Sequence, residues 1–376
     1  MTALDDFRLE VFFSRWEFTA RHHLTASDME TMRLADLLAL AGPEELEAWQ
    51  RLDLGYRPTW GDAELREAIA GTYEGVTPDH VLCFAGAQEG IACALRALLE
   101  PGDHAIVVTP NYQSPESIAR SICQVSGVPL DESRGFALDL DAITAALRPG
   151  TRLIAINFPN NPTGAVADRA AFAELAELAD GLGIWLFSDE VYRGIEQDPA
   201  VTLPPAADLT ERALSLGVMS KAYGMPGLRV GWIACRDHSL LERIERAKHY
   251  GSICNAGPSE VLARIALRAG PQILERNRAL VRDNLLLFDA FFADRCDRFE
   301  WAHPQGGCVC FPRYLGPEGA ERFCAGVLEQ EGVLLLPPSI YASPLCATPA
   351  DRFRVGVGRR DPGPALEALG RYLAAA

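Results

Sequence analysis

The sequence predicts an α/β protein whose main sheet is mostly parallel, followed by a smaller α+β domain. Short apolar runs typical of strands recur through the middle of the chain, at 104–110, 152–158, 184–187, 213–218 and 230–235. Segments with apolar residues at helical spacing, such as 169–182, separate these runs. Because the runs lack polar alternation, we expect strands that are buried on both faces, and strands that alternate with helices form mostly parallel sheets.

The pattern changes after Asn255. Residues 258 to 292 predict one long helical stretch that links two domains, and the segment 363–375 predicts a terminal helix. Alternating segments between them predict short strands, at 299–301, 308–311 and 353–357. Residues 1–40 are rich in helix formers but lack a core of their own, so we expect them to pack on this second domain. We therefore place the large domain at 44–258, and the small domain at 1–43 and 259–376.

Charge excludes one class of partner. The 376 residues include 35 Lys and Arg against 51 Asp and Glu, which gives a net charge of −16. An acidic chain is a poor ligand for a phosphate backbone, so nucleic acid is not an expected partner. Any anion site must therefore be local, built from a few cationic side chains or backbone N–H groups.

The cysteines and the first residues indicate the compartment. Ten cysteines occur without any CxxC pair, most of them within apolar runs, which is typical of small buried side chains in a reducing cytoplasm. Cys308 and Cys310 could form a metal or redox pair, but alternating strand residues are the favoured interpretation, and no metal site is predicted. The first residues lack the features of a signal peptide, and no run of about 18 apolar residues predicts a membrane span.

Polar motifs follow three of the predicted strands. Asn157–Gly164 comes after the second strand, where it is either a simple turn or part of a ligand site, since ligands bind at the carboxyl ends of parallel strands. Asp189 and Glu190 end the next strand; they are either helix caps or, for Asp189, a partner for a protonated heteroaromatic nitrogen. Lys221 follows a third strand, and is either a solvated cation or a Schiff-base amine.

A fourth motif suits an anion. The run Phe84–Gly90 brings small residues to the start of a helical segment that includes 91–99. The first N–H groups of a helix and its positive dipole end favour a phosphate. The motif is weak alone, because many helices begin with Gly and Ala.

Taken in order, these segments resemble the class I and II aminotransferases, the fold-type I enzymes that use pyridoxal 5′-phosphate (PLP). The resemblance runs from Leu54 to Arg354, and its most specific parts are 160–164, 188–192 and 220–232. It implies a seven-stranded, mostly parallel sheet sandwiched by helices. It also implies a small-molecule amino-acid substrate and a homodimer with shared active sites.

The resemblance implies catalytic roles for several residues of these motifs. Lys221 would hold PLP as an internal aldimine and later move a proton between the substrate Cα and C4′ of the cofactor. Asp189 would keep the pyridine nitrogen protonated, which makes the ring an electron sink. Asn161 and Tyr192 would donate to the ring 3′-oxygen, and Tyr112 would stack on the ring.

The resemblance also implies anion-binding roles. Arg354 would grip the substrate α-carboxylate beside Asn161, in preference to its neighbours Arg352 and Arg359. Tyr56 would reach the phosphate bound by the partner subunit. The phosphate cradle of the same chain would consist of Gly86, Ala87, Gln88, Ser220 and Arg229.

The sequence departs from the family in three places. Val218 stands where a hydroxyl residue is common, three positions before the lysine, and Pro338 replaces the middle residue of a common Pro-Gly-Ser motif. The third departure, at 22–30, replaces a glycine-rich loop and is similar to a branch that includes capreomycidine synthase and PLP-dependent arginine oxidases. That branch holds the arginine guanidinium with N-terminal acids. The candidates here are Glu17 and Asp28, and Glu30 could take the place of Asp28. The alternative is that these acids lie on a solvated helix face or form a helix N-cap.

Transamination of an α-amino acid, through an external aldimine and a quinonoid, is the expected reaction. The cofactor residues leave a second possibility open, which is specialised natural-product chemistry at Cβ or Cγ: arginine oxidation or cyclisation, or γ-elimination or replacement on a substrate such as S-adenosylmethionine. Aminotransferase-like domains also occur in transcription factors, but those carry a basic DNA-binding domain ahead of the fold. Only about 40 residues precede it here, so a regulatory role is not expected.

Overall fold

The computed structural model describes residues 4–375. Residues 1–3 and 376, which include the first positions considered for a signal peptide and both ends of the predicted small domain, lie outside this range. The chain begins with one helix, one short strand and three further helices: α1 (Arg8–Trp16), β1 (His22–His23), α2 (Leu34–Leu38), α3 (Pro43–Gln50) and α4 (Ala63–Ala70).

A seven-stranded sheet forms the centre of the molecule. Its strands are β2 (Val81–Phe84), β3 (His104–Thr109), β4 (Gln124–Pro129), β5 (Thr151–Asn157), β6 (Trp185–Asp189), β7 (Ala213–Val218) and β8 (Gly231–Ala234). The spatial order is β2-β8-β7-β6-β5-β3-β4, and β8 runs antiparallel to both of its neighbours while the other pairs are parallel. The predicted α/β class and the mostly parallel sheet are confirmed.

Helices cover both faces of this sheet. They are α5 (Ala87–Leu98), α6 (Ser114–Ile122), α7 (Leu140–Ala146), α8 (Arg169–Gly181), α9 (Ala206–Leu209) and α10 (His238–Lys248). Along β3, Ala105 and Val107 pack in one apolar layer while Ile106 and Val108 pack in the other. Since successive strand residues point to opposite faces, this explains why the strand has no polar alternation.

Two helices follow where the sequence predicted one. The helix α11 (Gly257–Arg268) ends at Ala269, and α12 (Gly270–Ala293) begins directly after it. The prediction of one continuous helix over 258–292 was therefore wrong at this point. Pro271 has no N–H and its ring clashes with the preceding turn, so it is tolerated in the first turn of α12 but not in a helix interior.

The C-terminal part contains short strands and two more helices, β9 (Phe299–Glu300), β10 (Val309–Cys310), β11 (Arg313–Tyr314), α13 (Ala320–Glu331), β12 (Val333–Leu334), β13 (Val355–Gly356) and α14 (Gly363–Ala375). Antiparallel pairs join β9 to β11 and β10 to β13. Short 3₁₀ helices complete the chain, at Pro78–His80, Glu132–Arg134, Pro199–Val201, Pro226–Leu228 and Pro338–Tyr341.

The N-terminal segment contacts both ends of the fold. His22 pairs with Val333 in a parallel ladder between β1 and β12, as expected for a segment that packs on the C-terminal part. Helix α1 also reaches the large sheet, because Leu9 packs in the same apolar layer as Ile106 and Val108. The domain limits at 44–258 stay a prediction. No helix within residues 4–375 combines the length and the apolar character needed to cross a membrane.

Candidate active site

A cavity of about 930 Å³ opens beside the carboxyl ends of β5, β6 and β7. This volume lies within the range of about 300–1,000 Å³ that is common for ligand sites. The polar ends of β5 and β6 are direct neighbours, since Asn157 pairs with Asp189 in the sheet. Most of the predicted site residues lie on the cavity wall: Glu17, Asp28, Ala87, Gln88, Tyr112, Asn161, Asp189, Tyr192, Ser220, Lys221 and Arg229.

Asp189 is a buried carboxylate with few partners. It is the last residue of β6 and is 4% exposed, and its Oδ1 accepts one hydrogen bond, from the backbone N–H of Val191 at 3.2 Å. Burial raises the pKa of Asp189 to about 7. A carboxylate in this position gains from a cationic partner, because desolvation penalises an unpaired charge.

Lys221 presents its amine to the same cavity. Its Nζ donates to the Ser27 hydroxyl at 2.8 Å, and burial lowers the pKa of the amine. A lowered pKa increases the fraction of neutral amine, which is the nucleophilic and basic form. The geometry therefore combines a nucleophile with a buried carboxylate on one wall.

Lysine is rare in this chain. Of the 35 basic side chains Lys and Arg, two are lysines, Lys221 and Lys248. Lys248 is fully buried, and its Nζ donates to the carbonyls of Thr59 and Cys83 and to Oδ1 of Asn255. An ammonium has three donors, so these three acceptors engage all of them. Lys221 is thus the lysine that the fold leaves available for chemistry.

The start of α5 forms an anion cradle with two side chains from the β7–β8 connection. Gly86 caps α5 with φ +92°, and a Cβ at this position would lie 2.5 Å from Nη2 of Arg229. Nη1 of Arg229 also donates to the Ser220 hydroxyl at 3.5 Å. A phosphate suits this place, because helix N–H groups and a guanidinium converge on it without any side chain at Gly86. Gln88 contributes to the wall while its Nε2 donates to Ser114 at 2.8 Å.

Arg354 is not among the residues that line the cavity, but it contacts one of them. It is fully buried, and it donates through Nη1 to Oδ1 of Asn161 at 3.0 Å and through Nη2 to the Thr25 carbonyl at 2.6 Å. Its Nε has no hydrogen-bond partner among residues 4–375. Tyr341 donates to the same Asn161 oxygen at 3.1 Å. Asn161 and Arg354 thus form one hydrogen-bonded unit at the predicted carboxylate site.

The two predicted ring contacts also reach the cavity. Tyr192 is almost fully buried and its hydroxyl donates to the Ser27 carbonyl at 2.7 Å. Burial raises the pKa of Tyr192, so its hydroxyl stays protonated and acts as a donor. Tyr112 is packed against Phe7 of the N-terminal segment, with ring centroids 5.1 Å apart.

Acidic side chains line the N-terminal wall of the cavity. Glu10 and Glu17 extend from α1 and the turn after it, and Asp28 follows β1. Burial, and then the like charges of Glu10 and Asp28, raise the pKa of Glu17. Asp28 is already paired with Arg359 at 2.7 Å, so of the two predicted acids Glu17 is the one that retains more capacity for a cationic ligand.

Some predicted residues lie away from the cavity, and some cavity residues were not predicted. Glu30 is not on the wall, since its Oε2 accepts from the backbone N–H of Arg360. Tyr56 is 91% exposed on the outer surface. Sequence reasoning missed Ser27, Glu10 and His23. Nothing in their local pattern marks them, although Ser27 and His23 lie in the segment 22–30 that departs from the family, and Glu10 lies in α1 before it.

No group of three or more His, Cys, Asp or Glu within residues 4–375 is arranged to hold a metal ion. The residues that are present do fit a phosphorylated pyridine. The under-partnered carboxylate of Asp189 suits a protonated ring nitrogen, and the amine of Lys221 suits an aldehyde carbon. The Arg229 guanidinium, which lies against Gly86 at the start of α5, suits a phosphate.

The chain is similar to known proteins in both sequence and fold. The family model for aminotransferase class I and II matches residues 24–363. Capreomycidine synthase from Streptomyces vinaceus is 30% identical over 365 residues, which cover 96% of this chain and 90% of that protein. The structure is similar to a PLP-dependent aminotransferase from Streptococcus suis 89-1591, with a TM-score of 0.92, 29% identity and coverage of 100% and 99% of the two chains.

A second solved structure, the PLP-dependent cyclase OrfR, superimposes with a TM-score of 0.87 at 26% identity, covering 100% of this chain and 98% of that one. The match of the family model extends over most of the chain, and the motifs at Asn161, Asp189 and Lys221 all lie within it. The family expected from those motifs is confirmed. The protein belongs to the class I and II aminotransferases.

Proposed function

We propose that the protein binds PLP and transfers the amino group of an α-amino acid. The observation that carries this proposal is that Lys221 and Asp189 line one cavity together with Arg229, whose guanidinium lies against Gly86 in the anion cradle. Burial displaces the pKa of both groups, upward for Asp189 and downward for Lys221. Paired, oppositely displaced pKa values in a cleft are typical of catalytic sites.

Specific residues would hold the cofactor. The N–H groups at the start of α5 with Ser220 and Arg229 would bind the phosphate, Asp189 the ring nitrogen, and Tyr112 a ring face. Asn161 would donate to the ring oxygen through its side-chain amide, and Tyr192 would do so in place of its hydrogen bond to the Ser27 carbonyl. When bound, PLP supplies a ring that accepts negative charge from the substrate Cα.

The remaining chemistry belongs to the chain. Lys221, as a neutral amine, would take the proton from the substrate Cα and hold it on Nζ until it is returned. Asp189 stays deprotonated once a cationic partner offsets the cost of burying its charge. Arg354, through its hydrogen bond to Asn161, fixes the end of the cavity at which a substrate carboxylate binds.

A panel of amino acids tests this proposal. We expect the purified protein with PLP to convert an amino acid and a 2-oxo acid into the exchanged pair, measured by chromatography of both products. Turnover that consumes oxygen without a 2-oxo acid would contradict transamination and support an oxidase. Absence of PLP uptake by the folded protein would contradict the whole proposal.

The acidic wall favours a second candidate function, in which the substrate carries a cationic side chain. Glu17 and Glu10 face the cavity, and within residues 4–375 Glu17 forms no ion pair like that between Asp28 and Arg359. A guanidinium or a sulfonium would lower the repulsion among these acids. The likeness to capreomycidine synthase and to the cyclase OrfR supports cyclisation as one of the specialised reactions on such a substrate.

The same panel separates the two candidates when the Glu17→Gln variant is added. For a cationic substrate, we expect the variant to raise KM for arginine by about tenfold, since a desolvated charge-assisted contact is lost, and to leave a neutral amino acid unaffected. Glu44→Gln, at an exposed acid of α3, is the control. Equal KM changes for arginine and a neutral amino acid would contradict the cationic subsite.

We also propose that the active protein is a homodimer in which Tyr56 reaches the phosphate bound by the partner subunit. Exposed apolar side chains accompany it on the outer surface: Leu54 is 87% exposed, Tyr250 96% and Ile253 51%. Such side chains favour burial against a second subunit.

The free thiols of all ten cysteines further support the proposal of a reducing cytoplasm as the compartment.

Removing one hydroxyl tests the shared site. We expect Tyr56→Phe to raise the Kd for PLP by about tenfold, because a hydrogen bond to a phosphate is lost while the apolar ring is kept. Equilibrium titration of the apoprotein gives the Kd, and Tyr250→Phe is the matched control. Full PLP affinity in a protein shown by sedimentation to be monomeric would contradict the proposal.

A further inference from the structure

The segment 24–29 contacts several active-site residues through its backbone. The Thr25 carbonyl accepts from Arg354, and the Ser27 carbonyl accepts from Tyr192. The N–H of Met29 donates to the backbone carbonyl of Lys221 at 3.4 Å. The position of Ser27 is therefore fixed by the same residues that form the catalytic site.

Ser27 then adds a side-chain contact. Its hydroxyl is on the cavity wall, the residue is 8% exposed, and Oγ accepts from Nζ of Lys221 at 2.8 Å. Because the amine donates in this contact, the nitrogen lone pair does not take part in it. A neutral amine held in this way can still accept a proton or attack a carbonyl carbon.

We propose that Ser27 is a positioning residue that holds the amine of Lys221 whenever this amine is not covalently bound. This inference rests on the proposed function, because it takes Lys221 as the reacting amine. The amine is free in the apoprotein and again after an amino-acid substrate has displaced it. A free lysine side chain samples many rotamers, and a fixed acceptor reduces that search at the moment when the amine must reach the substrate Cα.

The effect of Ser27 on the pKa of Lys221 can be separated from the effects of the other groups around the amine. The charged and titratable groups that act on Lys221 come from several elements, and they are Glu17, Asp28, Asp189, Cys308 and Arg354. Ser27 is neutral, so Ser27→Ala changes no charge and leaves the carbonyl that accepts from Tyr192. A hydroxyl acceptor stabilises an ammonium more than an amine, so its loss lowers the pKa of Lys221.

Competitive amine labelling of the apoprotein, read by mass spectrometry across pH, measures this pKa. The chain has two lysines, and Lys248 is fully buried, so the Lys221 peptide gives a clean signal. We expect Ser27→Ala to lower the pKa of Lys221 by about one pH unit. Ser27→Thr should retain the wild-type value, as should Ser14→Ala, which removes an exposed hydroxyl of α1 that donates to the Val11 carbonyl.

A single-turnover experiment with PLP-loaded protein and an amino acid gives the second readout. We expect Ser27→Ala to slow this half-reaction about tenfold at saturating substrate, and Ser27→Thr to restore it. An unchanged pKa together with an unchanged half-reaction in Ser27→Ala would overturn the proposal. If Ser27→Ala does not fold, Ser27→Cys takes its place, because a thiol fills similar space but is a weak acceptor.

Failure of the proposed function is a distinct result. In that case wild-type Lys221 is labelled but takes up no PLP, while the effect of Ser27 on the pKa of Lys221 is still measured in the apoprotein.

Discussion

Replacing Lys221 with alanine is expected to lower kcat/KM by about 10³-fold or more, because the variant loses both the nucleophile and the base that moves the proton at the substrate Cα. Fold and thermal stability should be retained, since the side chain lines a cavity and burial of its amine is itself unfavourable. Initial rates with the preferred amino acid and visible absorbance of the PLP-loaded protein are the measurements.

Lys221→Arg is the matched comparison for Lys221→Ala. It keeps a cation of similar length at the same place, but a guanidinium does not lose its proton in proteins, so we expect the same loss of activity. An active arginine variant would show that positive charge, rather than a neutral amine, is what the site requires. A Lys221→Ala protein that turns over at the wild-type rate would contradict the assignment of Lys221.

Asp189→Asn is expected to have opposite effects on activity and on stability. We expect kcat to fall by about 10²-fold or more, because the amide cannot keep a ring nitrogen protonated. We expect the apoprotein to melt at a higher temperature than wild type at pH 8, because the variant removes a buried carboxylate that has one hydrogen-bond partner in the described part of the chain.

The pH dependence gives the sign of this stability effect. Burial raises the pKa of Asp189 in the folded apoprotein from 3.8 to about 7, so the folded state holds this proton more tightly than the unfolded state. The wild type therefore loses stability as pH rises from about 4 to about 7, and the loss is constant above that range. The difference in melting temperature between Asp189→Asn and wild type should grow over the same interval.

Calorimetry of both apoproteins at several pH values checks this expectation, and a repeat with PLP supplies the control. Since bound PLP would offer Asp189 a cationic partner, it should stabilise wild type more than the variant. An equal melting difference at pH 4 and pH 8 would show that the carboxylate is not the destabilising group.

The parts of the site that follow strands were predictable from the sequence. Asn161, Asp189 and Lys221 each come just after a buried apolar run, and a parallel sheet brings the carboxyl ends of such runs to one edge. The motifs around them are also specific enough to identify the family. Local pattern was therefore sufficient for the sheet and for the residues that the sheet positions.

Contacts between distant parts of the chain were not predictable in this way. Ser27 reaches Lys221 across 194 positions, and Asp28 reaches Arg359 across 331. No local periodicity encodes such pairs, because they depend on how β1 packs beside β12. The break at Ala269 was missed for a different reason: apolar spacing continued through it, although Pro271 gave a local signal.

Lys248 has a consequence for how this protein can vary in evolution. Its ammonium binds the backbone of Thr59, three residues from Tyr56, and that of Cys83, three residues from Gly86, while Asn255 joins it to Phe84. The outer surface and the anion cradle therefore share one rigid support. A substitution that shifts the segment 56–59 should persist in evolution only with a compensating change in the segment 83–86, and the reverse should also hold. The two segments should therefore diversify together.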